Sequence, residues 1–218
     1  MTVCSINEQV KKDVRSFSFG KDCRYCSKEA VKHCINPAIP NIHSNWISNS
    51  ILGMQRPHKK SHFEHCETPL VDSFKNLGIT AIINCTEIGE HPDCGDGILD
   101  SIGLSYDPND FVKEGIEYHH YGWKDMTTPS IELMLKIVNV GKTIIEKGGK
   151  ICVHCHAGFG RTGIVIACIL ISIENITAEE AIARVRSTRQ RSISIKLQED
   201  YVYEYYEKVK KIKFKSSF

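Results

Sequence analysis

Residues 150–173 constrain the fold more than any other part of this 218-residue chain. "KICVHC" (Lys150–Cys155) has the apolar, β-branched character of a buried strand. "RTGIVIACILISI" (Arg161–Ile173) is apolar nearly all round, which predicts a helix enclosed in the core. Only His156, Ala157, Gly158, Phe159 and Gly160 join the two. A strand that runs through a glycine-rich turn straight into a buried helix belongs to a layered α/β architecture. The turn itself must be tight, and glycines at 158 and 160 allow backbone angles that other residues resist.

The rest of the chain repeats the alternation. "NWISNSILGM" offers two short strands, around Trp46 and Leu52. "TPLVDSFKNLG" reads as a helix capped by Thr68, opened by Pro69 and ended by Gly78. "ITAIINC" (Ile79–Cys85) is a buried strand, and "IEYHHYGW" (Ile116–Trp123) is another. The polar segment 86–117, with five glycines, predicts long loops. Thr128 caps and Pro129 opens a long helix with Ile131, Met134, Leu135, Val138 and Ile145 on one face, ending at Gly148-Gly149. "TAEE" (Thr177–Glu180) is a capping box that starts the next helix. Val202, Tyr205, Val209 and Ile212 line a last one. The expected fold is a single α/β domain over residues 41–215, with a central, mostly parallel twisted sheet flanked by helices. Residues 1–40 read as an N-terminal arm, weakly structured or packed on that domain.

Charge excludes some functions. With 28 basic and 26 acidic side chains the net charge is +2, which gives no signal for nucleic acid. The basic runs "RVRSTRQR" (Arg184–Arg191) and "KVKKIKFK" (Lys208–Lys215) read as solvated helix ends rather than an anionic docking surface. No apolar run is long enough to span a membrane, and no signal-peptide core is evident. Ten scattered cysteines in a chain of this size read as reduced thiols, which points to the cytosol or nucleus. Cys23 and Cys26 have zinc-knuckle spacing, and His33 or Cys34 can complete a set. Adjacent residues are poor geometry for a tetrahedral ion, so a packed arm is the preferred reading and no metal is assigned.

The joining loop carries chemistry. Successive N–H groups of residues 156–160 can point inward as a nest for an anion, and the following helix adds its positive end. Arg161 offers a planar fork that matches two phosphate oxygens. Cys155 sits at the bottom of this bowl. A free thiol titrates at about 8.5, and such surroundings lower that to roughly 3.5–7.5. The expectation is a thiolate aimed at phosphorus. Its leaving oxygen needs a proton, and Asp125 in "YGWKDMTTPS", in a loop between strand and helix, is the candidate acid. The same carboxylate, once ionised, can activate water for the second step. Thr162 can hydrogen-bond Cys155 and help it leave.

These residues resemble a known family. "HCHAGFGRTG" matches the Cys-x5-Arg-Thr signature of the protein tyrosine phosphatase superfamily, and "WKD" resembles its mobile acid loop, usually Trp-Pro-Asp. "NWISNSILGMQRP", "IINCTEIGEHPDCG" and "GWKD" are most similar to the dual-specificity branch, and within it to the protein tyrosine phosphatase domain-containing protein 1 group. The resemblance covers about Asn41 to Lys208. It implies a metal-free, cofactor-free phosphatase acting on phosphoproteins, on phosphotyrosine and also on phosphoserine or phosphothreonine, through a phosphocysteine. Carried over residue by residue, Cys155 is the nucleophile, Arg161 and the backbone of His156 to Gly160 bind phosphate, and Asp125 is the acid. His154 supports the thiolate and Gln198 lines the site. Lys124, Gln190 and Ser194 depart from the pattern. By similarity to lipid phosphatases of the superfamily, Cys85 is a candidate resolving thiol for Cys155. Three rivals are disfavoured. A phosphoinositide phosphatase expects lysines where His156 and Phe159 stand. An RNA 5′-triphosphatase does not depend on an acid such as Asp125. A phosphoprotein-binding pseudophosphatase has no need to keep Cys155, Asp125 and Arg161 together.

Overall fold

The computed structural model describes Cys23 and residues 36–58 and 69–215. Thr68, the expected helix cap, lies outside the described residues, as do Cys26, His33, Cys34 and most of the expected arm. Five strands form one sheet in the order β1-β2-β5-β3-β4. They are β1 (Ser44–Ser48), β2 (Ile51–Gln55), β3 (Ile79–Asn84), β4 (Glu117–His120) and β5 (Lys150–Cys155). Only the β1–β2 hairpin is antiparallel; β2–β5, β5–β3 and β3–β4 are parallel. The mostly parallel sheet is therefore as expected.

Both faces of the sheet are covered, which is why β5 is apolar without strict alternation. On one face Ile51, Ala81, Ile83, Ile151 and Val153 pack under α3 (Ile131–Glu146), α4 (Gly160–Glu174), α5 (Ala178–Thr188) and α6 (Lys196–Lys215). On the other, Leu52, Met54, Ile82 and Cys152 meet α1 (Leu70–Asn76) and α2 (Asn109–Val112) through Leu70, Phe74 and Phe111. Every residue of α4 from Arg161 to Ile171 is buried. Full enclosure of this helix follows from its all-round apolar surface.

Several local expectations shift. Pro69 is the cap of α1 rather than its first residue. Ser130, not Thr128, caps α3, accepting a hydrogen bond from Leu133 N–H. The buried stripe of α3 is Met134, Ile137, Val138, Gly141 and Ile144, while Ile131, Leu135 and Ile145 are only partly covered. Ile212 is 46% exposed, because α6 outruns the core it packs on. The capping box at Thr177 and Glu180 is formed in both directions. The "RVRSTRQR" run is not a solvated patch throughout. Arg184 pairs with Glu174, Arg186 holds the Ser192 and Ile193 carbonyls, and Arg189 is buried. Among the described residues no helix is long and apolar enough to cross a membrane.

Candidate active site

Three loops leave the carboxyl ends of the parallel strands β3, β4 and β5 and converge. In open α/β sheets this is where ligands bind. The β5 loop carries Cys155, which is 3% exposed. His154 and Cys155 are neighbours on a strand, so their side chains take opposite faces. Cys155 joins the helix-covered face, and His154 meets Tyr106 on the other.

The loop from His156 to Gly160 turns directly into α4, whose cap, Phe159, contributes no side-chain hydrogen bond. Its N-terminal N–H groups are therefore available to an anion. Gly158 has φ +76°, and a Cβ there would lie 2.2 Å from Met54 O. At Gly160 a Cβ would meet the Gln198 amide at 2.9 Å, a contact that this flexible side chain can relieve by moving. Left-handed backbone in a non-glycine residue costs roughly 1–3 kcal/mol before the clash is counted. Gly158→Ala is thus expected to lower the urea midpoint clearly and to remove activity; an unchanged midpoint contradicts this account.

Arg161 is fully buried; both terminal nitrogens of its fork are engaged, while its Nε has no hydrogen-bond partner among the described residues. Nη1 donates to Glu90 Oε2 at 2.7 Å, to Trp123 O at 2.9 Å and to Cys85 O at 3.0 Å. Nη2 donates to Glu90 Oε1 at 2.6 Å and lies 3.1 Å from Asp125 Oδ1. This one guanidinium ties together the ends of the β3 and β4 loops. The structure thus brings Asp125 together with Arg161. Its other oxygen, Oδ2, is 3.1 Å from His91 Nε2. Burial pushes the Asp125 carboxyl up, but His91, Arg161 and the Met126 N–H outweigh it and hold the group at about 2. Burial pulls the His91 imidazole down, yet its bonds to Asp125 and Cys94 and the charges of Asp125 and Glu90 keep it at about 9.

The loop that bears Asp125 is braced from within and without. Met126 N–H donates to Asp125 Oδ1, the Thr127 hydroxyl donates to Lys124 O, and Trp123 Nε1 donates to Thr127 O. From α6, Gln198 Nε2 reaches Thr127 O at 3.5 Å and the Tyr201 hydroxyl donates to Ser130 O. Gln198 thus lies between the acid loop and Gly160, beside the phosphate loop.

Two residues stand differently from expectation. Burial pulls His154 down to about 3, so it is neutral. Its Nε2 accepts from the Tyr106 hydroxyl at 2.7 Å and its Nδ1–H faces Cys155 O. It orients backbone and is not a cation beside the thiol. Thr162 Oγ1 is buried with no hydrogen-bond partner, so its expected bond to Cys155 is not formed in this structure. Cys85 does come close enough for Cys155 to act on it electrostatically; burial, first, and then Cys155 push its thiol well up. His119 and His120 bond to Glu117 and the Thr86 carbonyl and take no part in the site.

Sequence reasoning missed four residues. Glu90 and His91 are described above. Arg56 Nη1 and Nη2 hold the carbonyls of Glu90, His91 and Cys94, while its N–H donates to His156 O. Arg189 donates through Nε and Nη2 to Gly158 O, at 3.1 and 2.8 Å, and stacks on Phe159. The two arginines clamp the phosphate loop from opposite ends.

Comparison with known proteins gives the family and the fold. Residues 62–208 match the family described as dual specificity phosphatase, catalytic domain. Protein tyrosine phosphatase domain-containing protein 1 is 37% identical in Bos taurus and 38% in Mus musculus, each over 80% of this chain. The chain spans only 21% and 23% of the length of those two relatives. Dual specificity protein phosphatase CDC14B of Mus musculus is 29% identical over 68% of this chain and 28% of its own. Among solved structures, Tk-PTP in its active form superposes with a TM-score of 0.61 at 22% identity, covering 75% of this chain and 96% of its own. Kinase associated phosphatase gives 0.62 at 25% identity, covering 77% and 95%. The family match over residues 62–208, two thirds of the sequence, makes this chain a member of the dual specificity phosphatase family.

Proposed function

We propose that this chain is an active, cysteine-dependent protein phosphatase that hydrolyses phosphotyrosine and also phosphoserine or phosphothreonine. The observation that carries the reading is the meeting of Arg161 and Asp125 at 3.1 Å beside the loop that starts at Cys155. A phosphate seated on the loop N–H groups and Arg161 would present phosphorus to the Cys155 thiolate. The S–P bond forms as the P–O bond to the leaving group breaks, and Asp125 gives that oxygen its proton. Water then attacks phosphorus, Asp125 takes the water's proton, and Cys155 departs as thiolate. Thr162, whose hydroxyl is otherwise unpartnered, is suited to meet that departing sulfur.

Asp125 is ionised in the ligand-free site, so its proton needs a source. His91, held at about 9, carries a proton and faces Asp125 Oδ2 at 3.1 Å. A dianion docked on Arg161 competes with Asp125 for the guanidinium, and its charge raises the carboxylate's proton affinity. Asp125→Asn is expected to lower kcat by about 10²-fold, with the largest loss for poor leaving groups. Equal loss for nitrophenyl and alkyl phosphates would remove Asp125 from this role.

The relatives' names support protein substrates, and the likeness to PTPMT1 bound to PI(5)P, at 20% identity, bears on fold alone. The test is turnover of ³²P-labelled phosphotyrosine peptide by reduced enzyme without added metal, quenched at early times. Label on Cys155 is expected. Label on another residue, or no turnover, would overturn the reading.

A further inference from the structure

A second cluster of reactive side chains adjoins the phosphate loop. Cys23, Cys94 and His156 come from three distant parts of the chain: the segment before β1, the loop after β3, and the phosphate loop. They are 0%, 1% and 2% exposed. Their two sulfurs and one imidazole nitrogen all lie within 4.8 Å of one another. Cys23 Sγ is 4.0 Å from His156 Nε2, and the Cys94 side chain hydrogen-bonds the His156 ring. The mechanism uses none of these side chains; only the backbone of His156 belongs to the cradle.

We propose that Cys23, Cys94 and His156 form a zinc site that clips Cys23 onto the phosphate loop. Bond lengths of about 2.3 Å to sulfur and 2.0–2.1 Å to nitrogen put tetrahedral donors roughly 3.5–3.8 Å apart. The three donors therefore need close by no more than about 1 Å to hold the ion. Each thiol releases its proton to solvent on binding. Two thiolates then neutralise the dication, and His156 adds a neutral nitrogen. That balance makes the site compatible with burial, where an unpaired charge is not tolerated. Sulfur donors also select zinc over magnesium or calcium. Among the described residues three protein ligands are present, which leaves a fourth position on the ion. Cys23 opens the Cys-x-x-Cys pair whose spacing already suggests zinc; among the described residues its co-ligands are Cys94 and His156.

The position gives the ion a consequence. His156 follows Cys155, and Arg56 already fastens the loop bearing Glu90, His91 and Cys94 to the His156 carbonyl. An ion on Cys94 and His156 would fasten the same loop a second time and tie Cys23 to it as well.

The test uses the full chain grown with zinc, dialysed against chelator-free buffer with reductant, and analysed by elemental mass spectrometry. About one zinc per chain is expected in wild type and in Cys155→Ser. Cys23→Ser and Cys94→Ser, checked for native circular dichroism, are expected to fall towards zero. Cobalt alone, added to zinc-free wild type, should give a sulfur-to-cobalt charge-transfer band that is lost in Cys94→Ser. On wild type only, chelation should lower Tm and zinc should restore it. Metal-free wild type would overturn the proposal. So would zinc lost in Cys155→Ser, which would place the ion on the nucleophile, or a Cys23–Cys94 disulfide as the isolated state. Zinc content is read without any turnover, so an inactive protein that binds zinc separates this proposal from the phosphatase reading.

Discussion

Replacing Cys155 by serine is expected to lower turnover of phosphotyrosine peptide by on the order of 10⁴–10⁶-fold, as loss of a nucleophile does in other covalent enzymes. Sulfur and oxygen are close in size, so the buried position is filled as before and folding stability should change by about 1 kcal/mol or less. The chemistry changes far more. A serine hydroxyl does not ionise under conditions that ionise a thiol, and among the described residues no side-chain base is hydrogen-bonded at this position to activate it. Arg161 and the loop N–H groups remain in place, so the variant should still bind phosphopeptide. Direct titration of phosphotyrosine peptide should give a Kd within a few-fold of the wild-type KM, while product release falls to background. Retention of a tenth or more of the activity would show that phosphorus is attacked by something else.

The parts of the site readable from sequence are those that are local. β5, the glycine loop and α4 form one uninterrupted stretch, and their apolar character and glycine spacing report directly on burial and turn geometry. The capping box of α5 is likewise a four-residue signal. The start of α3 was harder, because Thr128, Pro129 and Ser130 all carry capping chemistry and only packing selects Ser130. The helix α2 has four residues, too few to show a period, and sits within a polar segment.

What escapes the sequence is long-range electrostatics. Glu90 and Arg161 are 71 positions apart, and Arg189 and Gly158 are 31 apart. No spacing rule links such pairs. Arg189 lies in a run of basic residues that resembles a solvated surface, and its burial depends on the pocket formed by Phe159, Asn45 and the Gly158 carbonyl. The hints for Glu90 and His91 were that two titratable residues sit together in a loop leaving a buried strand. Loops in that position carry function more often than core strands do.

Glu90 is the missed residue whose loss should matter most. Its two oxygens meet the two terminal nitrogens of Arg161 in a side-by-side fork, at 2.7 and 2.6 Å, and its side chain is only 10% exposed. Glu90→Ala leaves a fully buried guanidinium with Asp125 as its remaining carboxylate. Breaking a buried pair by removing one partner costs about 3–5 kcal/mol, and Asp125 should keep the loss near the lower end. Activity should fall as well, because the fork is no longer held in the plane that faces the phosphate. Loss of one oriented donor to a transition state lowers kcat by roughly 10²–10³-fold, and a similar effect is expected here. Glu90→Gln separates the two roles. It keeps one acceptor for Arg161 and fills the same volume, so stability should recover in part while kcat stays low. Urea unfolding and kcat measured on both variants decide the matter. If Glu90→Ala unfolds at the wild-type midpoint, the buried pair contributes nothing net to folding. If its kcat is also unchanged, Arg161 is oriented by the Cys85 and Trp123 carbonyls alone, and Glu90 is only a bystander in the ligand-free site.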